Sequence, residues 1–497
     1  MIEDRRQFSG LPVAAVIATL VIAAHLALVW LPGINLEWAF SGAARSFATG
    51  DADLLARYFA VEANSLGLPM LAYGLHAALP FIGIDLAPRL FSIAGLAFLA
   101  AALVRLRGRL GLAVPDALLV ALVVVNPLVW TFSGRGTADF LPAALAIFAV
   151  ALAWERPGSG ATRAAAVVAF ALAIILKYHA ALLLPLIWLE GLSRPGAPPA
   201  RRLSSVALIT AAILVWPLLF LAGIRAAYGF WIAPPQFQSI HGLVITPGFV
   251  ATNLVAYAGY LALLLMPLPL LALWRRRHSP AAWVIVVVGG AGLFVAGALL
   301  LAPNGEMNFG PLDRYLAGAV VGGAFAVCAG FFVVTAAEGV ATARSGEGDL
   351  RLVVCLILGI VAVIGALALT RPAQRYLLFL LPLAYLFVAP LLARRKILAG
   401  LVIAVSLALD LFVAANQLAT GRAAAAMVTL LSESGGLAET DPGALAPQVG
   451  DRFPLHPAVP PAYTVVEGRA AGALAVVESA PVPFAHKVYS LVRSPAP

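Results

Sequence analysis

A handful of residues in this chain have the types and spacing to do chemistry. The first is Glu37, a few residues past an apolar block and beside Asn35 and Trp38. A carboxylate at the edge of hydrocarbon can take a proton from a hydroxyl; the plain alternative is an ordinary loop glutamate at headgroup level. Asp51 and Asp53 follow Gly50. A glycine break followed by aspartate reads first as a helix N-cap, and two carboxylates at this spacing can also hold a divalent cation. The run Trp130-Thr131-Phe132-Ser133-Gly134-Arg135-Gly136-Thr137-Ala138-Asp139 is too short for a solvated spacer. Its Arg135 and Asp139 must face protein or water at the membrane surface, where an arginine can grip a phosphate with two donors or form a capping ion pair. Lys177 and His179 flank Tyr178 between two short apolar blocks, a place for a phosphate or for a snorkelling lysine. Arg314-Tyr315 and Arg375-Tyr376 each open an apolar block. An anionic ligand, or pairing with Asp313 or Glu306, accounts for arginines there.

These residues need elements to position them, and composition says which. The chain has 497 residues, 62% hydrophobic and 11% charged, with mean hydropathy +0.97. A water-facing core cannot bury that much apolar surface, so a bilayer must solvate most of it. A spanning helix takes roughly 20 apolar residues, which divides the chain into spans near 11–31, 88–104, 115–132, 137–154, 163–177, 180–193, 204–224, 248–273, 281–302, 317–337, 351–370, 376–392 and 397–416. The expected class is an all-α polytopic membrane protein of about 12–13 transmembrane helices, with helices lying along the outer interface. One of those is expected over Leu68–Ile84, within the first long loop, 32–87.

Net charge is +9, carried by arginine clusters such as Arg105/Arg107/Arg109, Arg194/Arg201/Arg202, Arg275-Arg276-Arg277 and Arg394-Arg395-Lys396. They alternate with the spans, which is the positive-inside pattern and not a nucleic-acid surface. With Arg5-Arg6 in the cytoplasm, Glu37, Arg135, Lys177 and Arg375 all fall on the far, periplasmic face. That sidedness requires a hairpin at Lys177–His179 rather than one long bent helix. The first apolar block ends in bulky Val29-Trp30-Leu31-Pro32 and reads as a retained helix. Cys328 and Cys355 lie in apolar blocks and read as packing residues. The expected division is a membrane domain over 1–416 and a small periplasmic α/β or β domain over 417–497. Its strands are expected at Ala462–Val466, Ala473–Val477 and Lys487–Val492.

In order along the chain, these segments resemble the C-type glycosyltransferases of the membrane, which use polyprenyl-phosphate sugars and include protein O-mannosyltransferases, lipid A aminoarabinose transferases and rhizobial lipopolysaccharide core transferases. The resemblance rests on the acidic first loop with Glu37, on Leu68-Pro69-Met70-Leu71-Ala72-Tyr73, and on Leu86-Ala87-Pro88-Arg89-Leu90-Phe91-Ser92. It continues through Asn126-Pro127-Leu128-Val129, Ser133-Gly134-Arg135 with Asp139, Leu176-Lys177-Tyr178-His179-Ala180 and Pro372-Ala373-Gln374-Arg375-Tyr376-Leu377-Leu378. It spans roughly residues 10–395. The chain departs from the family in carrying a single carboxylate at Leu36-Glu37, and no lysine at Leu66-Gly67-Leu68-Pro69.

The resemblance implies sugar transfer, with inversion, from a polyprenyl-phosphate-linked donor to a hydroxyl of an envelope glycan, lipid or protein. Glu37 then matches the acidic base, with Asp51 or Asp53 able to share the role. Arg135, Lys177 and Arg375 match basic positions near the donor phosphate. Asp139, His179, Arg314 and Tyr376 are expected beside them. A divalent cation is a possible addition, and membrane lipids are the surrounding partners. The rivals are a transporter or lipid flippase, which calls for ionisable groups at mid-membrane such as His25 and Asp410, and a non-catalytic scaffold presenting the tail.

Overall fold

The computed structural model describes residues 11–33, 36–61, 65–155, 159–238, 246–284, 318–347, 349–370, 373–453, 461–479 and 485–494. The first apolar block forms α1 (Leu11–Leu28). Three short helices follow it in the first long loop: α2 (Glu37–Thr49), α3 (Ala52–Val61) and α4 (Gly67–Ala78). The helix expected over 68–84 therefore stops at Ala78, because Pro80 and Gly83 follow and do not continue a helix. Gly67 lets α4 pack hard on a neighbour: a Cβ there would sit 2.8 Å from the Ile175 carbonyl carbon.

The next group is α5 (Ala87–Leu110), α6 (Asp116–Val124), α7 (Pro127–Ser133), α8 (Phe140–Trp154) and α9 (Gly160–Leu176). Their boundaries follow local chemistry. Pro88 sits in the first turn of α5, and Gly111, at φ 67°, ends it. Asn126 caps α7 through the Leu128 N–H at 3.1 Å, and Pro127 cannot continue α6, so the two axes bend by 70°. Ser159 caps α9 at the Thr162 N–H. After α9 come a 3-10 turn (Tyr178–Leu183) and α10 (Leu184–Ser193). Arg194 then reaches the Ala153 carbonyl at 3.3 Å, so the chain has turned back at Lys177 to the end it left at Glu155.

The longer helices that follow among the described residues are α11 (Pro199–Tyr228), α12 (Pro247–Leu264), α13 (Leu268–Arg275), α14 (Gly318–Thr342), α15 (Leu350–Leu367), α16 (Leu381–Val388) and α17 (Lys396–Glu433). Among the described residues, six helices are long and apolar enough to cross a membrane, or seven if α6 and α7 make one broken span. Apolar helices too short for that criterion occupy the expected spans of α1, α8, α9 and 178–193. Of the expected spans, 281–302 lies almost wholly outside the described residues.

Helix α17 runs unbroken across the expected 416/417 boundary and carries its last turns into the tail. There Met427 and Leu431 join Leu445, Phe453, Val465, Tyr489 and Leu491 in a second core. The sheet beside it has the order β1-β2-β4-β3, with β1 (Thr440–Asp441), β2 (Tyr463–Glu467), β3 (Ala475–Glu478) and β4 (Val488–Arg493). Strands β2 and β3 both pair antiparallel with β4, while the short β1 runs parallel to β2. The three strands expected from the tail sequence are β2, β3 and β4.

Candidate active site

Glu37 opens α2, directly after Leu36, a non-glycine residue held at φ 67°. A left-handed leucine costs of order 1–3 kcal/mol and persists only where its surroundings fix it. Here the turn folds the glutamate inward, to 6% exposure. Arg89, in the first turn of α5, meets it with two donors, Nε to Oε1 at 3.0 Å and Nη2 to Oε2 at 3.1 Å. The Gly136 N–H adds a third bond to Oε1 at 2.6 Å. The remaining Arg89 nitrogen donates to the Val29 and Leu31 carbonyls at the end of α1, at 2.6 and 2.5 Å. One arginine thus ties α1, α2 and α5 together and sets the plane of the carboxylate.

Arg135 lies between this pair and a second buried group. It is 7% exposed, its guanidinium lies over the Phe132 ring at 5.2 Å, and its Nε has no hydrogen-bond partner among the described residues. Burial pushes the Arg135 guanidinium down from its ordinary value, against the attraction of Glu37 and Asp139. Asp139, just ahead of α8, is 2% exposed and bonds Lys177 Nζ, and Arg375 Nε lies 3.6 Å from the same oxygen. Lys177 is 1% exposed and sits 5.0 Å above the Tyr376 ring. His179 stacks on that ring with centroids 4.3 Å apart, and its Nδ1 has no partner. Three chain turns, at 134–139, 177–179 and 373–376, therefore meet at one end of the bundle.

The other expected site residues are placed differently. Asp51 accepts from the Asp53 N–H at 2.9 Å, which is the capping role. Asp53 is exposed and pairs with Arg57 at 3.7 Å. Neither lines the cavity at Glu37. Arg314 lies outside the described residues. Among the described residues no three His, Cys, Asp or Glu side chains gather as a metal site. His25 is tied to the Val21 carbonyl at 2.9 Å and the Ser133 hydroxyl at 2.9 Å, joining α1 to α7.

Arg89 is the residue that sequence reasoning passed over. The signal was present: like Arg375, it opens an apolar block on the arginine-poor face. Its helix-initial position after Pro88 disguised it as part of a boundary.

Beside Glu37 lies an open cavity of about 450 Å³. It is lined by Glu37, Arg89 and Gly136, by Trp30 and Pro32, and by Gln448, Val449 and Arg452 of the tail. The site thus holds a fixed carboxylate facing open space, an arginine with an unused donor, and a buried lysine–aspartate pair.

No family model and no curated protein matches the chain. Among solved structures it is similar to ArnT from Cupriavidus metallidurans. The apo form is 14% identical, with TM-score 0.35 over 74% of this chain and 77% of that one. The form bound to undecaprenyl phosphate is 13% identical, with TM-score 0.39 over 97% and 98%. Likeness at that level decides neither fold nor activity.

Proposed function

We propose that this chain is an integral membrane glycosyltransferase of a bacterial inner membrane, active on the periplasmic face. In this reading it moves a sugar from a polyprenyl-phosphate donor to a hydroxyl of an envelope lipid, glycan or protein. The observation that carries the reading is the buried line Glu37–Arg135–Asp139–Lys177, with a cavity at its carboxylate end and cations at the other. Inverting transfer needs that order. A base takes the acceptor proton, the acceptor oxygen attacks the sugar's C1 from one side, and the C1–O bond breaks toward the phosphate on the other. Cations there stabilise the charge as it develops, and burial strengthens them.

Glu37 is the base in this mechanism. Arg89 positions it, and Arg135, Lys177 and Arg375 face the leaving phosphate. Asp139 holds Lys177 in place, and Tyr376 and His179 pack against the lysine. The motif order along the sequence supports the same assignment.

The test is transfer by the purified full chain from a polyprenyl-phosphate sugar, in membranes of the source cell as acceptor. Glu37→Gln should lower the rate by about 10²–10⁴-fold, the usual worth of a general base, with folding intact. Full activity in that variant overturns the assignment. Activity in excess chelator tests for a divalent cation at the phosphate.

One observation favours the rival reading, lipid translocation. Asp410 in α17 is 1% exposed, and neither oxygen has a hydrogen-bond partner among the described residues. Flipping of a labelled lipid by the reconstituted chain, with no sugar transfer, would reverse the ranking.

A further inference from the structure

His25 is a buried ionisable side chain to which the transfer mechanism gives no role. It lies in α1, 3% exposed, with its ring against Trp130 of α7 at 4.3 Å between centroids. Its Nδ1 is 2.9 Å from the Val21 carbonyl, one turn back in the same helix. A carbonyl only accepts, so the hydrogen of that bond is on Nδ1. The other nitrogen, Nε2, is 2.9 Å from the Ser133 hydroxyl. The Trp130 carbonyl lies 3.1 Å from both Nε2 and the Ser133 oxygen. A neutral ring therefore accepts from Ser133, and a charged ring donates to Trp130. In either state the imidazole is bonded to the last turn of α7.

Ser133 ends α7, and the turn that builds the site starts there. Arg135, Gly136 and Asp139 all follow within six residues. The Gly136 N–H is the donor to Glu37 Oε1 at 2.6 Å. The far end of the turn is held by Asp139 on Lys177 and by Ser92, whose hydroxyl donates to the Thr137 carbonyl at 3.5 Å. Its near end contains Gly134 and Gly136, and glycine-rich backbone is costly to order without an anchor. Packing supplies part of that order. A Cβ on Gly134 would lie 3.0 Å from the His25 ring, and one on Gly136 would lie 3.2 Å from Pro88 and 3.3 Å from Arg89. The turn is thus pressed between α1 and α5, with the His25 bond at its root.

Glu37 receives its three bonds from two places, Arg89 and Gly136. Both trace back to α1. Arg89 is tied to the Val29 and Leu31 carbonyls at the end of that helix, and the Gly136 turn is tied to it through His25 and Ser133. One rigid helix therefore sets both sides of the carboxylate. A displacement of ~1 Å in such a group costs on the order of 10²-fold in rate.

We infer that His25 is a positioning residue for transfer: it fixes the end of α7, and through it the turn that sets the Gly136 N–H on Glu37 and carries Arg135. This rests on the transferase reading with Glu37 as base. It also gives a mid-membrane histidine a use other than carrying protons for transport.

Two amides separate the bond to α7 from mere filling of space. A glutamine side chain places its amide where Nε2 lies and so reaches Ser133 and Trp130; an asparagine places it where Nδ1 lies and does not. The purified full chain is read in two ways: deuterium exchange of peptides covering 133–139, and steady-state transfer from a polyprenyl-phosphate sugar to source-cell membranes. His25→Asn should speed exchange across the turn about tenfold, as local opening becomes easier. It should lower kcat about tenfold to a hundredfold with KM close to wild type, since the base is misplaced and donor binding is not. His25→Gln should recover most of both losses. Ser133→Ala should act in the same direction as His25→Asn but less, because the Trp130 carbonyl remains, and it carries the test if His25→Asn does not fold. Equal effects of asparagine and glutamine, or wild-type exchange and kcat in Ser133→Ala, overturn the inference. If Glu37→Gln is inactive while His25→Asn keeps full kcat, only the role of His25 falls. If Glu37→Gln transfers at the wild-type rate, the base assignment falls and takes that role with it.

Discussion

The two ends of the helical bundle use the same residue types to opposite purpose. At the arginine-rich end, the buried Glu190 and Glu338 each meet two arginines. Glu190 faces Arg194 at 2.8 Å and Arg351 at 3.9 Å, and Glu338 faces Arg275 at 3.0 Å and Arg276 at 2.9 Å. Arg109 reaches Asp349 at 3.6 Å and the Trp154 carbonyl at 2.8 Å, joining α5, α8 and the start of α15. These arginines keep their heads partly in water and act as clamps between helices. At the Glu37 end the cations are buried more deeply, and among the described residues Arg135 Nε and His179 Nδ1 have no hydrogen-bond partner. Unused hydrogen-bonding capacity in a buried site costs stability, and the proposed function would give it a use as contacts for the donor phosphate.

Mutations can break or sharpen that contrast. The largest effect is expected for Glu37→Gln, which should remove transfer per folded molecule; giving up the two-point ion pair with Arg89 should also lower the melting temperature, by about 1–3 kcal/mol of stability. Lys177→Ala should cost about 3–5 kcal/mol of stability, because it strands Asp139 in a buried site. A lowered melting temperature checks it, and the double change with Asp139→Asn should recover part of the loss. Arg135→Ala should do the reverse of a clamp mutation. With its Nε unspent, its loss should leave the melting temperature nearly unchanged. Transfer should fall about tenfold to a hundredfold, as for one charge-assisted contact of ~1.5–3 kcal/mol. If Arg135→Ala unfolds the chain instead, the two ends are alike and the contrast fails.

At the other end, Glu338→Gln should lower stability by about 1–3 kcal/mol and leave the rate per folded molecule unchanged. The smallest effect is expected in the C-terminal sheet. Arg469 pairs with Glu478 at high exposure, and Arg469→Ala should change stability by about 1 kcal/mol or less.

Much of this was legible before folding. Apolar blocks between charged loops located the helices, because a bilayer demands length and low charge. The return of Arg194 to Ala153 follows from the same rule that put arginine loops on one face. The three strands of the tail showed as short alternating runs. Leu68–Ile84 was read too long, since apolarity persisted past a proline that ended the helix. The helix of the last apolar span continues past 416, because polarity changes there while helical hydrogen bonding does not.

The site was legible only in part. Lys177 beside Asp139, and Arg375 beside both, join turns far apart in sequence, and no spacing rule predicts which charges meet. Asp51 and Asp53 looked like candidates because carboxylates near Glu37 in sequence need not be near it in space. One caps a helix and the other faces water.

By itself, then, the order of residues determined the solvent, the helices and the short list of ionisable side chains, since each depends on local composition and backbone preference. Folding alone decided that Arg89 would claim Glu37, that Arg135 would keep a donor unspent, and that Arg452 would line the same cavity as Glu37. Those are distances between parts remote along the chain, and only the packing of helices against one another and against the C-terminal domain sets them.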